Sequence, residues 1–114
     1  MTKILIIEDN ELNLKLVKDI LEVQGYETET AENGQIGLQK ANEKNFDLIL
    51  LDIQMPVLSG YEFLEVYEKQ TPIIVLSACA METEVEKAKS LGCSDYISKP
   101  IKIAEFLETV KKYI

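Results

Sequence analysis

Strand-like runs alternate with amphipathic stretches from one end of this chain to the other, five of each. Lys3 to Ile7 reads as a buried strand, and Tyr26 to Ala31 as a shorter one of alternating character, suited to a sheet edge. Asp47 to Leu51 is the most apolar run and is expected at the centre of the sheet. Ile73 to Leu76 and Cys93 to Ser98 complete the set. Strands that are separated each time by a helical stretch must run parallel, with helices covering both faces of the sheet.

The helices carry their own punctuation. Asn10 is placed to cap a helix from about Glu11 to about Gln24, and Gly25 to stop it. Leu12, Leu16 and Ile20 form one i, i+4 row of that helix, and Val17 with Leu21 another. Asn33-Gly34 turns the chain into a second helix with Ile36, Leu38 and Ala41 as apolar contacts. A third, roughly Gly60 to Lys69, directs Tyr61, Leu64 and either Tyr67 or Phe63 inward. The fourth, about Glu82 to Leu91, has only Val85, Ala88 and Leu91 to bury. That thin face marks it as the weakest helix and the one expected to move. The fifth, Lys102 to Tyr113, presents Ile103, Phe106, Leu107 and Val110.

Composition narrows the function. At 114 residues and 46% hydrophobic content, the chain fits one domain, expected to span residues 1–114. No apolar run approaches the ~20 residues that cross a bilayer, and the start at Met1-Thr2-Lys3 has no secretory pattern. A cytoplasmic location without membrane contact is expected. The two cysteines, Cys79 and Cys93, are then read as reduced thiols. A net charge of −8 repels nucleic acid phosphates. The chain has no histidine, which removes Ser-His-Asp triads, His-ligated zinc and phosphohistidine chemistry of its own.

The chemistry-bearing residues gather where strands end. Glu8-Asp9 follows the first strand, Asp52 the third, Ser77 the fourth and Lys99-Pro100 the fifth. Taken singly, each has a plain structural role: a turn acid, a helix N-terminal acid, a surface lysine, a cap hydroxyl. Together they fall at the C-terminal ends of parallel strands, where open sheets of this class bind ligands. Three carboxylates meeting there call for a hard cation, and Mg²⁺ suits a site with few protein ligands. The carbonyl oxygen of Gln54 is a candidate further ligand. Lys99 adds an ammonium on the opposite side. A cation and an ammonium facing one carboxylate suit phosphoryl transfer to that carboxylate. Ser77 would supply a hydroxyl, and Ala78 a backbone N–H, to a phosphoryl oxygen.

Several segments resemble the receiver domain of two-component response regulators: Ile6 to Asn10, Leu50 to Pro56, Gly60, Val75 to Ala78 and Asp95 to Pro100. The pieces Glu8-Asp9-Asn10-Glu11-Leu12-Asn13 and Tyr96-Ile97-Ser98-Lys99-Pro100-Ile101 are similar to single-domain regulators of the CheY-like and DivK-like kind. They also occur in receivers fused to hybrid kinases. The resemblance implies a flavodoxin-like (βα)5 doubly wound sheet of strand order 2-1-3-4-5. It implies that Asp52 accepts phosphate from a histidine of a kinase or histidine phosphotransfer protein. Glu8, Asp9, Asp52 and the main chain of Gln54 would hold Mg²⁺. Lys99 would pair with the phosphoryl group, across a cis bond to Pro100. Ser77 and Tyr96 would form a switch pair that moves the fourth helix.

The chain is accordingly expected to be a phosphorelay switch rather than an enzyme, acting on a downstream protein through its fourth helix, fifth strand and fifth helix. Gln54 and Cys79 lie where the family tunes phosphate lifetime, and slow to moderate self-dephosphorylation is expected. The alternatives are a receiver excised from a hybrid histidine kinase or a larger regulator, a flavodoxin-like electron carrier, and an aspartyl-nucleophile phosphatase. A flavodoxin-like carrier would need a phosphate-binding loop where Glu8-Asp9 stands, and those acids would repel FMN phosphate.

Overall fold

The computed structural model describes residues 2–53, 57–78 and 81–114. Along the chain run β1 (Lys3–Ile7), α1 (Glu11–Val23), β2 (Glu27–Ala31), α2 (Gly34–Glu43) and β3 (Leu48–Asp52). They are followed by α3 (Gly60–Val66), β4 (Ile73–Ser77), α4 (Glu82–Ser90), β5 (Asp95–Ser98) and α5 (Ile103–Lys111). All strands pair in parallel, in the order β2-β1-β3-β4-β5. The expected doubly wound sheet is therefore present, with β3 at its centre and β2 at one edge.

Period-2 alternation divides the core in two. Ile4, Ile6, Leu48, Leu50, Ile74 and Leu76 point to one face and meet Val17 and Leu21 of α1 with Phe106 and Val110 of α5. Leu5, Ile7, Ile49, Leu51, Ile73 and Val75 point to the other and meet Ala41 of α2, Phe63 and Leu64 of α3, and Ala88 of α4. Strands buried on both faces have no polar side to show, which is why β3 and β4 read as unbroken apolar runs. Each fully buried Leu, Ile or Phe contributes ~1.5–3 kcal/mol. Cys93 joins the second core as a free thiol, and burial pushes its pKa up to about 11.

The helix punctuation acts as expected. Asn10 Oδ1 accepts the Asn13 N–H at 3.0 Å, and Asn33 Oδ1 accepts that of Ile36 at 2.8 Å. Gly25 takes φ +91°, the left-handed conformation that ends α1. Apolar contacts differ from the sequence expectation at several positions. In α1 the Val17–Leu21 row enters the core, while Leu12 stays 80% and Leu16 45% exposed. In α2, Gly37 rather than Ile36 faces the sheet, so close to Ile7 that a Cβ would come within 2.5 Å of its Cδ1. In α5, Ile103 is exposed, and Phe106 and Val110 are buried. Helix α3 ends at Val66, short of Lys69, whose ammonium instead caps α2 by donating to the Ala41 and Lys44 carbonyls. Of the two aromatics left open, Phe63 is fully buried, and Tyr67 stacks on it with ring centroids 5.3 Å apart.

The edge strand β2 is guarded by charge. Glu29 meets Lys44 at 2.8 Å and Lys3 at 3.1 Å. The hydrogen bond from Lys44, helped by Lys3, holds the Glu29 carboxyl below the usual carboxylate range, against the opposing effect of its burial.

Val57 carries the one positive φ among non-glycine residues described, +72°. A β-branched side chain is strained there, and the cost is ~1–2 kcal/mol. Replacing Val57 by Gly is expected to stabilise the chain by about 1 kcal/mol, read as a higher urea midpoint at unchanged slope. A lower midpoint would show that the strain is not relieved by that change.

Candidate functional site

In strand order 2-1-3-4-5 the direction of winding reverses between β1 and β3. The loops leaving their C-terminal ends diverge, and a crevice opens there. Glu8 and Asp9 follow β1, and Asp52 ends β3 beside it. Carboxylate oxygens of all three come within 4.8 Å of one another. Glu8 and Asp52 are buried, at 2% and 5% exposure, and Asp9 is exposed.

Such proximity is costly. Two carboxylates at that separation repel by roughly 3 kcal/mol at an effective dielectric near 20. The N-terminal dipole of α1 offers at most ~1 kcal/mol in return. Helix electrostatics alone do not account for the cluster, whereas a bound cation would. The acids are all hard oxygen donors, a set that fits Mg²⁺.

Lys99 supplies the opposing charge. Its Nζ lies 2.8 Å from Glu8 Oε2 and 3.6 Å from Asp52 Oδ2, with a side chain only 16% exposed. Its backbone N–H donates to the Ser77 carbonyl at 2.7 Å, which ties the end of β5 to the end of β4. The Lys99–Pro100 bond is cis, as expected. One ammonium against three carboxylates leaves the site negative.

Glu8 is doubly engaged: Oε2 by Lys99, and Oε1 by the Asn10 N–H at 3.2 Å. The Glu8 pairing adds to the sequence reading, which sets Lys99 facing Asp52 and the phosphoryl group. Its only sequence signal is the pair of motifs themselves, 91 residues apart.

Ser77 is 1% exposed at the end of β4, and Tyr96 is half-buried in β5. Tyr96 pairs in register with Val75, so Ser77 and Tyr96 share the sheet face on which α4 packs. Gln54 and Cys79 lie outside the described residues. Gly60 opens α3 directly upon the acidic site. A Cβ there would lie 2.6 Å from the Asp52 carbonyl oxygen and from Ile53 Cα, and its N–H donates to the Ile53 carbonyl at 3.0 Å. Only a glycine permits so close an approach without moving Asp52. The side chain of Ser59 and that of Glu62 then form a capping box around this helix start.

A furrow adjoins the site on the α1–α5 side, lined by Asn13, Leu16, Ala78, Lys99, Pro100 and Ile101. A second, more apolar one lies further along the same pair of helices, between Ile20, Val23, Ile103 and Leu107. No helix among the described residues is long and apolar enough to cross a membrane.

The family model for the response regulator receiver domain matches residues 4–111. The polar-differentiation response regulator DivK of Brucella anthropi is 43% identical over 116 residues, covering 97% of this chain and 94% of that protein. DivK of Brucella ovis is 43% identical over 120 residues, covering 100% and 98%. Among solved structures, the chemotaxis protein CheY4 of Vibrio cholerae superposes with a TM-score of 0.94 at 31% identity, covering 100% of this chain and 99% of that one. The receiver domain of the sensor histidine kinase PA1611 of Pseudomonas aeruginosa, solved with a magnesium ion coordinated in the active site cleft, does so at 0.89 and 30% identity, covering 98% and 96%. Sheet order, acidic crevice and sequence similarity along nearly the whole chain agree, and the chain belongs to the response regulator receiver domain family, whose members are signalling switches rather than classical enzymes.

Proposed function

We propose that Asp52 accepts a phosphoryl group from a histidine on a partner kinase or phosphotransfer protein, and that the modified chain binds a downstream protein differently from the unmodified one. The observation that carries this reading is the crevice itself: three carboxylates within 4.8 Å, with Lys99 Nζ 2.8 Å from one and 3.6 Å from another. The donor histidine must be the partner's, because this chain has none. In the transfer, an Asp52 carboxylate oxygen forms the new P–O bond as the histidine P–N bond breaks, and the electron pair of that bond stays on the imidazole. Lys99 already lies beside Asp52 and needs only a small shift to meet the transferred oxygens.

The acids fit a Mg²⁺ ion, held by Asp9 and Asp52 with the main chain of Gln54 and with Glu8 behind them. Glu8 suits the outer position because both of its oxygens are engaged, whereas Asp9 is exposed. Bound there, the ion would neutralise charge on the transferring oxygens. Ser77 would donate its hydroxyl to the phosphoryl group, and Tyr96, on the same face, would follow it inward. The consequent shift falls on α4, which has Ala88 as its only fully buried residue. The face formed by α4, β5 and α5 is thus the surface that would tell a downstream partner of the change. Cys79 offers no strong acceptor to orient a hydrolytic water, which favours a slowly decaying phosphate. A cytoplasmic location fits this role.

The donor's approach is favoured over α1 and the start of α5. Lys99 and Pro100 line the first furrow there, so an apolar surface seated on Leu16 and Ile101 would bring its histidine to the crevice mouth. A receiver within a hybrid kinase is the second reading, supported by the similarity to the receiver domain of a sensor histidine kinase. The acids after β1 leave no phosphate-binding loop for an electron carrier.

Three experiments test these assignments. Acetyl phosphate with Mg²⁺ should add one phosphoryl group to the wild type, detected by intact mass, and none to Asp52→Asn; equal labelling of both would end the assignment. Asp9→Asn should be about 1 kcal/mol more stable than wild type in EDTA, since one repulsion is removed, and should gain little from millimolar Mg²⁺. The wild type should gain ~1 kcal/mol or more, read as a rise in thermal midpoint, and a flat response would refute cation binding. Leu16→Glu should slow phosphorylation by a cognate histidine donor at least tenfold while leaving the acetyl phosphate rate unchanged; a similar loss in both reactions would show damage to the crevice rather than to a docking surface.

A further inference from the structure

Helix α4 is poorly anchored. Only Ala88 is fully buried, Val85 is partly so, and the N-cap Met81 makes no side-chain cap hydrogen bond and is 64% exposed. An isolated helix of this length has little stability of its own. A polar clasp on one residue ties it to α3. The Tyr61 hydroxyl donates to Glu84 Oε2, and Lys87 Nζ stands 4.1 Å above the centre of the Tyr61 ring. Glu84 and Lys87 are one turn apart, so α4 grips the ring by its rim and by one face. The other parts of the ring pack against the core beneath.

Tyr61 is also the neighbour of Gly60, whose N–H donates to the Ile53 carbonyl and which has no room for a Cβ against the Asp52–Ile53 backbone. Nothing flexible separates the two contacts: both residues belong to the first turn of α3, which a capping box holds in place. A rigid path therefore runs from the backbone of Asp52, through the start of α3, to α4. It runs through α3, whereas Ser77 and Tyr96 lie on β4 and β5.

We propose that Tyr61 is a coupling residue, which holds α4 in the position seen here and so sets what a change begun at Asp52 must overcome to move it. This rests on the reading of Asp52 as phosphoacceptor and deepens it by naming a restraint on the responding helix. A clasp made of one hydroxyl, one carboxylate and one ammonium is weak enough to release and strong enough to bias the helix.

The test compares wild type with Tyr61→Phe, which keeps the ring, and with Glu84→Met, which keeps the length of the side chain and removes the acceptor. In the unmodified chain, hydrogen exchange of the α4 amides should speed up about fivefold in Tyr61→Phe, with α1, α5 and the central strands unchanged. The double variant should be no faster than the single ones, since both cut the same bond. Beryllofluoride with Mg²⁺, as a phosphoryl analogue, should then saturate Tyr61→Phe at a concentration at least threefold below wild type, because the clasp no longer opposes the shift. Unchanged exchange in α4, a uniform rise across the whole chain, additive effects, or an unshifted saturation midpoint would each overturn the proposal. A wild type that shows no response to beryllofluoride at all would instead refute the phosphoacceptor reading, and the exchange result would separately decide whether Tyr61 holds the helix.

Discussion

Repulsion among Glu8, Asp9 and Asp52 is the constraint around which the molecule is built. Carboxylates within 4.8 Å of one another repel, and a firmly held backbone keeps these three together. That firmness comes from below. The central strands β1, β3 and β4 are buried almost without interruption, and they are bonded side by side in one register. Packing of two cores, one on each face of the sheet, outweighs the unfavourable charge at its rim. The site is thus unfavourable in local terms and stable only as part of the whole, as is common where function requires an arrangement that folding alone would avoid.

Lys99 relieves the repulsion in part and by a particular route. Its nearer partner is Glu8, the most buried of the three acids, and Asp52 lies farther away. A buried carboxylate without a partner would be expensive, so the ammonium satisfies Glu8 first. Asp52 keeps an electrostatic neighbour without being locked to it. The same lysine is fixed by its backbone to Ser77. One residue thus connects the end of β5 with Glu8 after β1, Asp52 of β3 and Ser77 of β4.

Much of this was legible in the chain. The alternation of strand and helix pointed to the layered sheet, because apolar runs of four or five residues are too short to be read as amphipathic helices when Gly25, Asn10 and Asn33 mark the boundaries. The acids and the lysine were legible because strand ends converge in a parallel sheet. The ranking of apolar faces was less so. Leu12 and Ile103 have the same chemistry as Leu21 and Phe106, and helical spacing cannot say which of two neighbouring rows turns inward. Gly37 was missed for a similar reason: the absence of a side chain leaves no periodic signal, although it is what lets α2 approach Ile7. The Glu8–Lys99 bond was beyond reach because it depends on side-chain reach across the crevice rather than on the order of elements.

The outer strand β2 has an unpaired margin, the part of any open sheet on which a foreign strand can grow. Glu27 and Glu29 alternate with threonines there, and Glu29 is laced to lysines from β1 and from the end of α2. A second molecule that approached this margin would have to strip water and lysine from a carboxylate before it could form its first ladder bond. Charge in this way opposes ladder formation between two copies of the chain at this margin.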